Sequence, residues 1–327
     1  MLEYILCFSC GLMRKNVLSF LYCISQFLLI QVSLIINIQK NSEMVMIDKR
    51  SDLTYKEFIK EYQKPGRPVI LENATKIWKS NLQFTPEFFR EKFGHVTTVS
   101  SNREYTISEI IELTANSTKE HPAPYPLKFN MLRELKDMLP LMEPLHLNLV
   151  KPNWLESSLL KNRLNNGMDL HIGGAGNHYP LHKDAYDVHA WLIQLYGEKD
   201  VYIFPKDQEE LMYPGVGGML ESRSPIDIAN PDYEKYPKFR EATPTIVTLK
   251  PGEVLYIPSG IWHTTMAHMQ NISTIIDQVN SSNYRGWRRT VYVYKKYYNK
   301  KRAILDYVAA TLIGNVFKMK ERLGMRI

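Results

Sequence analysis

Apolar and polar positions in the second half of the chain predict a pair of buried strands. Residues 190–196 (AWLIQLY) form an apolar and aromatic run, Gly197-Glu198 offers a turn, and residues 199–205 (KDVYIFP) form a second run. Runs of this length and composition, bounded by turn residues, are typical of β-strands. We interpret the two runs as a β-hairpin.

A second strand pair is predicted further along the chain. Thr245–Leu249 and Val254–Ile257 flank Lys250-Pro251-Gly252-Glu253, which has Pro and Gly at the positions that a type II turn favours. We interpret this segment as a second hairpin, and it leads through Pro258-Ser259-Gly260 to His263.

Helical periodicity is confined to the flanks of this β-rich region. Residues 54–62 place Tyr55, Phe58, Ile59 and Tyr62 on one face. Thr85-Pro86 has an N-cap residue followed by proline at the first helical position. Residues 302–323 carry an apolar stripe over six turns, which predicts a C-terminal helix. We expect it to pack on the barrel or to mediate homodimerisation.

The candidate chemistry lies in His182-Lys183-Asp184 and in His263, 81 residues after His182. Two imidazoles and one carboxylate on one face leave metal positions open, as a non-haem Fe(II) oxygenase requires. The short pattern alone is weak evidence for a metal site. A chain of 327 residues with nine His and 34 acidic residues is expected to contain about one His-x-acid pair by chance. Its context in the strands carries the prediction.

Ligands at the ends of short antiparallel strands, far apart in sequence, are typical of a jelly roll. We therefore predict a mainly β fold with flanking helices, namely a double-stranded β-helix (jelly roll). A metal site at the mouth of a rigid barrel follows from this architecture.

These motifs resemble those of the JmjC (cupin-like) family of Fe(II)- and 2-oxoglutarate-dependent oxygenases, with similarity over residues 53–294. The resemblance implies that His182, Asp184 and His263 are both the metal ligands and the catalytic centre. It further implies that Lys199 pairs with the distal carboxylate of 2-oxoglutarate. Tyr179 stands where many relatives have a threonine that binds the same carboxylate, and a tyrosine hydroxyl can donate that hydrogen bond.

Two positions depart from the family pattern. Ala190 stands where relatives often have Asn, and Asp277 stands at another position where Asn is common. The departures affect how the co-substrate or oxygen is positioned, and the metal triad is complete. Tyr125 and Lys128, on a strand that lines the co-substrate pocket in the family, are candidates to reach into it.

The resemblance implies an oxidoreductase, a dioxygenase that uses Fe(II), 2-oxoglutarate and O₂ to hydroxylate a protein or peptide side chain, with release of succinate and CO₂. Demethylation of an N-methyl group by the same chemistry is an alternative. A second alternative is a metal-binding cupin without oxygenase activity, acting as an isomerase or a binding module. Lys199 argues against the latter, which needs no carboxylate anchor.

The amino-acid composition limits which classes of partner we expect for this chain. The net charge of +7 is spread along the chain without a Lys/Arg-rich block, so nothing indicates nucleic acid. The three cysteines, Cys7, Cys10 and Cys23, all precede Met44, which excludes a disulfide framework or a cysteine-based zinc site in the catalytic part. Residues 206–243, rich in Pro, Gly and charge, are expected to select the substrate.

The first segment differs from the rest. Residues 17–38 contain 22 positions without a charge, which is long enough for a membrane span, and the basic residues after it favour a cytoplasmic catalytic domain. The alternative is a start codon assigned too far upstream, with a cytoplasmic protein beginning near Met44. We predict three parts: residues 1–43 (apolar segment), 44–295 (catalytic domain) and 296–327 (C-terminal helical appendage).

Overall fold

Twelve strands and five α-helices make up the part of the chain that the computed structural model describes, namely residues 47–78, 84–100, 102–143, 148–160 and 167–327. The strands are β1 (Asp48–Arg50), β2 (Val69–Leu71), β3 (Thr97–Ser100), β4 (Arg103–Thr106), β5 (Leu127–Asn130), β6 (Met168–Gly173), β7 (His189–Tyr196), β8 (Lys199–Phe204), β9 (Thr245–Leu249), β10 (Val254–Ile257), β11 (Trp262–Ala267) and β12 (Asn271–Gln278). The helices are α1 (Tyr55–Phe58), α2 (Pro86–Phe93), α3 (Ile107–Ala115), α4 (Tyr284–Lys296) and α5 (Lys300–Arg322).

Two sheets form the body of the fold. The larger has seven strands in the order β1-β2-β10-β7-β12-β6-β5, the smaller has three in the order β11-β8-β9, and β3 and β4 form a separate pair. Only β1 and β2 pair in parallel among the named strands. A mainly β fold with antiparallel strands exchanged between two sheets and helices at the flanks is a jelly roll, so the predicted fold class is confirmed.

Both predicted hairpins are wrong in their pairing, although their strands and turns lie where the sequence places them. β7 pairs with β10 and β12 in the large sheet, whereas β8 pairs with β11 and β9 in the small one. β9 and β10 are likewise in different sheets. The turns at Gly197 (φ 62°) and at Gly252 (φ 86°) therefore carry the chain from one sheet to the other. A local turn signal predicts a reversal of direction, and the pairing partner depends on the whole fold.

The N-terminal helices begin where their caps predict. Thr85, which directly precedes Pro86, accepts a hydrogen bond from Phe88 N–H and so caps α2. Thr54 forms a reciprocal capping box with Glu57 at the start of α1. The predicted helix over residues 54–62 changes into a π-helical turn after Phe58. Phe58 and Tyr62 are buried as expected, but Tyr55 is 42% exposed and does not join the packed face.

The C-terminal helix is present as predicted, with bounds within two residues of the predicted ones. α4, which the sequence reading missed, lies before it. No helix in the described part of the chain has the length and apolar character needed to cross a bilayer. The predicted span at residues 17–38 and the boundary after residue 43 lie outside the described residues.

Most of the core lies on the inner faces of the sheets and under the N-terminal helices. Trp191 and Tyr256 of the large sheet pack against each other and against Phe58 of α1 in tilted and edge-on arrangements, at ring-centroid distances of 4.8–5.2 Å. A smaller cluster around Trp154 and Trp287 joins α4 and α5 to the end of the barrel. The space between the two sheets is therefore held open at one end, where the candidate site lies.

Candidate active site

The side chains of His182, Asp184 and His263 meet at the barrel mouth. One ligand-type atom from each lies within 4.8 Å of the others. His182 Nε2 is 3.6 Å from Asp184 Oδ1, and His263 Nε2 is 3.8 Å from Asp184 Oδ2. These separations are too long for hydrogen bonds. Both imidazoles therefore present a ring nitrogen to the same carboxylate without being bonded to it.

Backbone pairing fixes the two histidines relative to each other. His182 N–H donates to His263 O at 3.0 Å, and His263 N–H donates to His182 O at 2.8 Å. This reciprocal exchange makes them a hydrogen-bonded antiparallel pair, so their side chains leave the same face of the small sheet. His182 lies on the segment before β7, and His263 is the second residue of β11.

The tautomer of each ring follows from its second nitrogen. His182 Nδ1–H donates to Pro180 O at 2.8 Å, and His263 Nδ1–H donates to Ile261 O at 3.0 Å. Because a carbonyl can only accept, Nε2 of each neutral ring keeps its lone pair toward Asp184. Hydrogen bonds of this kind orient histidines that bind metals.

The pKa values of the cluster residues favour the binding of a cation. Burial lowers the pKa of His263 to about 4, so the ring is neutral at physiological pH. Burial alone would raise the pKa of Asp184, but His263 and His182 outweigh it and hold the pKa below its usual value. One carboxylate and two imidazole nitrogens are the donor set that suits Fe(II) in 2-His-1-carboxylate sites. The donors of the candidate cluster fit that metal.

Lys199 begins β8 and lies deep in the barrel. On the paired strand β11, Ala267 lies opposite Lys199, and His263 lies opposite Ile203. Lys199 and His263 are therefore offset by four residues, which is about 13 Å along the strand direction. The ammonium is 3% exposed and donates to Ser273 Oγ at 2.5 Å. No carboxylate in the described part of the chain pairs with it, and burial lowers its pKa to about 7.

One cavity of about 390 Å³ contains both the histidine cluster and Lys199. Tyr179 lines it, with its ring 4.7 Å from that of His182 and 5.9 Å from that of His171. Tyr125 and Lys128, the two candidates from the preceding strand region, also line it. The structure thus places every residue predicted for metal or co-substrate binding around one space, and their roles stay predictions.

Comparison with known proteins gives the family. Residues 55–282 match the cupin-like domain family. The chain belongs to this family. The match runs from the start of α1 to just beyond the end of β12 and includes every strand of the two sheets except β1.

Curated relatives of this cupin-like chain include two lysine-specific demethylases and HSPB1-associated protein 1. Lysine-specific demethylase JMJ30 of Arabidopsis thaliana is 27% identical over 244 residues, 69% of this chain and 53% of that protein. HSPB1-associated protein 1 of Bos taurus is 35% identical over 114 residues, 34% of this chain and 22% of that protein. Lysine-specific demethylase 8 of Xenopus tropicalis is 35% identical over 92 residues, 28% of this chain and 20% of that protein.

The matched region spans about half of the first of these relatives and about a fifth of the other two. The domain match places the chain among cupin-like proteins, and two of these relatives are named lysine-specific demethylases.

The two departures from the family pattern lie side by side. Ala190 on β7 pairs with Asp277 on β12, and both line the cavity. Burial raises the pKa of Asp277 well above its usual value, and the nearby Asp184 and Asp169 raise it further. Gly167 makes room for this carboxyl group, since a Cβ there would overlap Asp277 Oδ2. The cupin-like site therefore contains an additional carboxyl group beside a small side chain.

The remaining histidines near the motif have their own partners. His189 Nδ1 accepts from Ser259 N–H at 3.0 Å, and its Nε2 lies 2.8 Å from Ser282 Oγ, so both ring nitrogens have partners. His178 pairs with Asp227 at 3.0 Å, and His268 with Asp200 at 2.8 Å. His171 lines the cavity, and burial lowers its pKa to about 3.

Sequence reading missed several cavity residues. Thr265 is two residues after His263 on β11, so strand alternation would have predicted it on the same face. Arg223 comes from the insert between β8 and β9, where the sequence predicted substrate selection without naming a residue. Ser273, the partner of Lys199, lies 74 positions from it, and no local signal connects them.

Proposed function

We propose that this protein is an Fe(II)- and 2-oxoglutarate-dependent dioxygenase that hydroxylates a C–H bond of a protein or peptide side chain and releases succinate and CO₂. The observation that carries the proposal is the shared cavity. It has two imidazoles and a carboxylate at its mouth and, at its depth, a buried lysine without a carboxylate partner among the described residues.

Fe(II) would be held by His182 Nε2, Asp184 and His263 Nε2. When bound, the metal supplies the activation of O₂ that organic side chains do not provide. The chain's own contribution is rigidity. The reciprocal backbone pair and the two Nδ1–H donations hold both rings before any ligand arrives, so little reorganisation is needed on binding.

Lys199 would bind the distal carboxylate of 2-oxoglutarate. A buried ammonium is costly unless it is paired, and Ser273 offers only a neutral acceptor. A carboxylate ligand would complete the missing pair with a charge-assisted hydrogen bond. Tyr179, between the histidine cluster and the body of the cavity, is positioned on its lining to donate a second hydrogen bond to the same ligand.

The substrate side of the cavity is formed by other elements. Trp287 and Lys295 of α4 line it together with Met219 and Arg223 of the insert. An aromatic wall with charged groups around it suits an amino acid side chain that enters from outside, with its backbone left at the surface. We therefore assign substrate selection to the insert and α4.

Demethylation of an N-methylated side chain is the second candidate. Three relatives are named lysine-specific or arginine-specific demethylases. Asp277 is the observation in the site that favours it, because a carboxyl group in the cavity can accept a hydrogen bond from a substrate nitrogen. Hydroxylation of an N-methyl carbon, followed by loss of formaldehyde, would use the same residues.

The experiment is incubation of the full chain with Fe(II), 2-oxoglutarate and proteins from a cell extract, with succinate measured as the common product. Mass spectrometry then distinguishes the candidates. A gain of one oxygen on a substrate protein supports hydroxylation, and loss of a methyl group with release of formaldehyde supports demethylation. Absence of succinate above the level given by Asp184→Ala would overturn both and favour a metal-binding cupin without oxygenase activity.

A further inference from the structure

The C-terminal helix α5 has an apolar stripe that faces solvent. Its side chains are 47–66% exposed although all are aliphatic or methionine, and they comprise Ile304, Leu305, Val308, Leu312, Val316, Met319 and, directly after the helix, Leu323. At about 100° per residue these positions fall within an arc about 120° wide, along a helix about 35 Å long. An apolar patch of this extent on a folded protein marks an interaction surface.

The opposite face of α5 fixes the orientation of the stripe. Gly314 contacts the ring of Tyr284 so closely that a Cβ would overlap it, and Tyr284 OH donates to Thr311 O at 2.9 Å. Phe317 packs edge-on against Trp154 at 5.6 Å between ring centroids. Because these contacts involve the buried face, the helix cannot rotate to bury the exposed stripe without losing them.

Positive charge is concentrated in the same region, which corrects the impression of an even distribution along the sequence. Residues 284–327 contain 12 of the 41 Lys and Arg residues but only two of the 34 Asp and Glu residues. The segment therefore carries a net charge of +10, and the remainder of the chain carries −3.

Both acidic groups of the segment are already engaged. Asp306 pairs with Lys295 at 2.6 Å and with Arg302 at 3.2 Å. Glu321 accepts hydrogen bonds from Trp154 Nε1 at 3.0 Å and from Ser281. Little negative charge is left on α5 to offset its cations.

The cations flank the stripe. On the helical projection, Lys300 and Lys318 lie along one edge of the apolar arc, and Arg302 and Lys320 lie along the other. Lys301 and Arg322 lie within the arc, in the first and last turns, and so border the stripe at its two ends. Two exposed tyrosines, Tyr297 and Tyr298, precede the helix. Apolar side chains bordered by basic ones and by aromatic rings are the composition of helices that lie in the interface of an anionic bilayer.

We propose that this face of α5 docks on an anionic lipid surface. The apolar stripe would enter the boundary between headgroups and acyl chains, and the flanking cations would pair with lipid headgroups. A second copy of the helix fits less well, because it would bring six further cations against the six of the first copy. A protein that wraps around the helix is excluded by the packed face, whereas a flat surface needs only the exposed one.

The test uses the full chain and vesicles of phosphatidylcholine, with and without phosphatidylserine. Binding is expected only with phosphatidylserine. Lys300→Gln with Lys318→Gln should weaken it about thirtyfold, given the contribution of each cation near a charged bilayer. Leu305→Gln with Leu312→Gln should weaken it more than about a hundredfold. Matched exposed positions elsewhere, Val99→Gln and Lys119→Gln, should leave it unchanged.

A local probe shows which part of the chain binds. The five native tryptophans lie outside the stripe, so Val308→Trp introduces one within it. Its emission should shift to the blue when phosphatidylserine vesicles are added, and that of Val99→Trp should not. Vesicle binding without this shift would overturn the proposal, since another segment would be responsible.

Size-exclusion chromatography with light scattering tests whether a second copy of the chain covers the stripe. A single-chain mass without vesicles is expected. A dimer that dissociates in the Leu305→Gln, Leu312→Gln variant would overturn the proposal, because a second copy would then cover the stripe.

Discussion

His182 and His263 lie directly opposite each other in an isolated antiparallel bridge and exchange two backbone hydrogen bonds, at 3.0 and 2.8 Å. This pair brings together two parts of the sequence that are 81 residues apart. Because this bridge ties the segment before β7 to β11, backbone hydrogen bonds set the separation of the two imidazoles. Two of the three donors of the candidate metal site are therefore held relative to each other by the backbone.

His182→Ala should abolish Fe(II) binding, because it removes one of the three donors at the cavity mouth and leaves an incomplete set. The measurement is iron content after anaerobic reconstitution and desalting, with circular dichroism to verify the fold. His268→Ala is the matched control, since His268 is a surface residue paired with Asp200. Equal iron content in wild type and His182→Ala would contradict the assignment.

Lys199→Ala should raise the KM for 2-oxoglutarate about ten- to a hundredfold, the loss expected from removing a charge-assisted hydrogen bond of about 1.5–3 kcal/mol. Iron content should stay the same, because Lys199 is not in the donor cluster. Succinate release provides the measurement. Lys128→Ala serves as the control, as Lys128 already pairs with Asp169 at 3.1 Å and should contribute less to KM. Equal KM values for wild type and Lys199→Ala would refute this role.

The affinity for 2-oxoglutarate should decrease as pH rises above about 7. Burial lowers the pKa of free Lys199 to about 7, and a bound carboxylate would raise it again, so binding takes up a proton. Below that pH the ammonium is already charged and the affinity is constant. Above it, each pH unit should weaken binding by up to about tenfold. Calorimetry in buffers of different ionisation enthalpy measures the proton uptake, and Lys199→Met should show none.

Asp277→Asn should stabilise the metal-free protein at neutral pH. The folded chain keeps the Asp277 proton to a higher pH than the unfolded chain, because burial raises the pKa of the carboxyl group. The free energy of unfolding of wild type should therefore fall as pH rises from about 4 through the raised pKa. An amide has no such dependence. Urea unfolding at several pH values should show a difference that grows with pH and vanishes below about pH 4.

Asp306→Asn is the control for this experiment. Asp306 pairs with Lys295 and Arg302, which hold its pKa below the usual value, so its replacement removes ion pairs and should not stabilise the protein. A difference between Asp277→Asn and wild type that is independent of pH would indicate a packing effect in place of titration.

Local signals in the sequence were sufficient for individual elements. Gly252, with φ of 86°, takes the position in the Lys250–Glu253 turn that the type II pattern requires, and Glu253 N–H donates to Lys250 O at 3.0 Å. Thr85 caps α2, and the periodicity of α5 gave its bounds within two residues. Each of these features depends on residues within a few positions of one another, so they are accessible without the fold.

Strand pairing and the faces of the elements were decided by the tertiary structure. The turn residues at Gly197 specify that the chain reverses, but whether β8 pairs with β7 or crosses to the other sheet depends on the free energy of both complete sheets. The sequence predicted an apolar stripe on α5, but the expectation that this stripe packs on the barrel was wrong. Gly314, on the opposite face, packs on Tyr284, and the stripe faces solvent.

The sequence by itself predicted the residues that we propose to carry the chemistry: His182 and Asp184 two positions apart, His263 after a turn, and Lys199 at the start of a strand. The tertiary structure decided what surrounds them. Ser273 reaches Lys199, and Asp277 lies beside Ala190, through pairings between distant segments. The physical reason is that residue type and local spacing set the available donors, whereas burial and charge at a site are sums over neighbours that only the folded chain brings together.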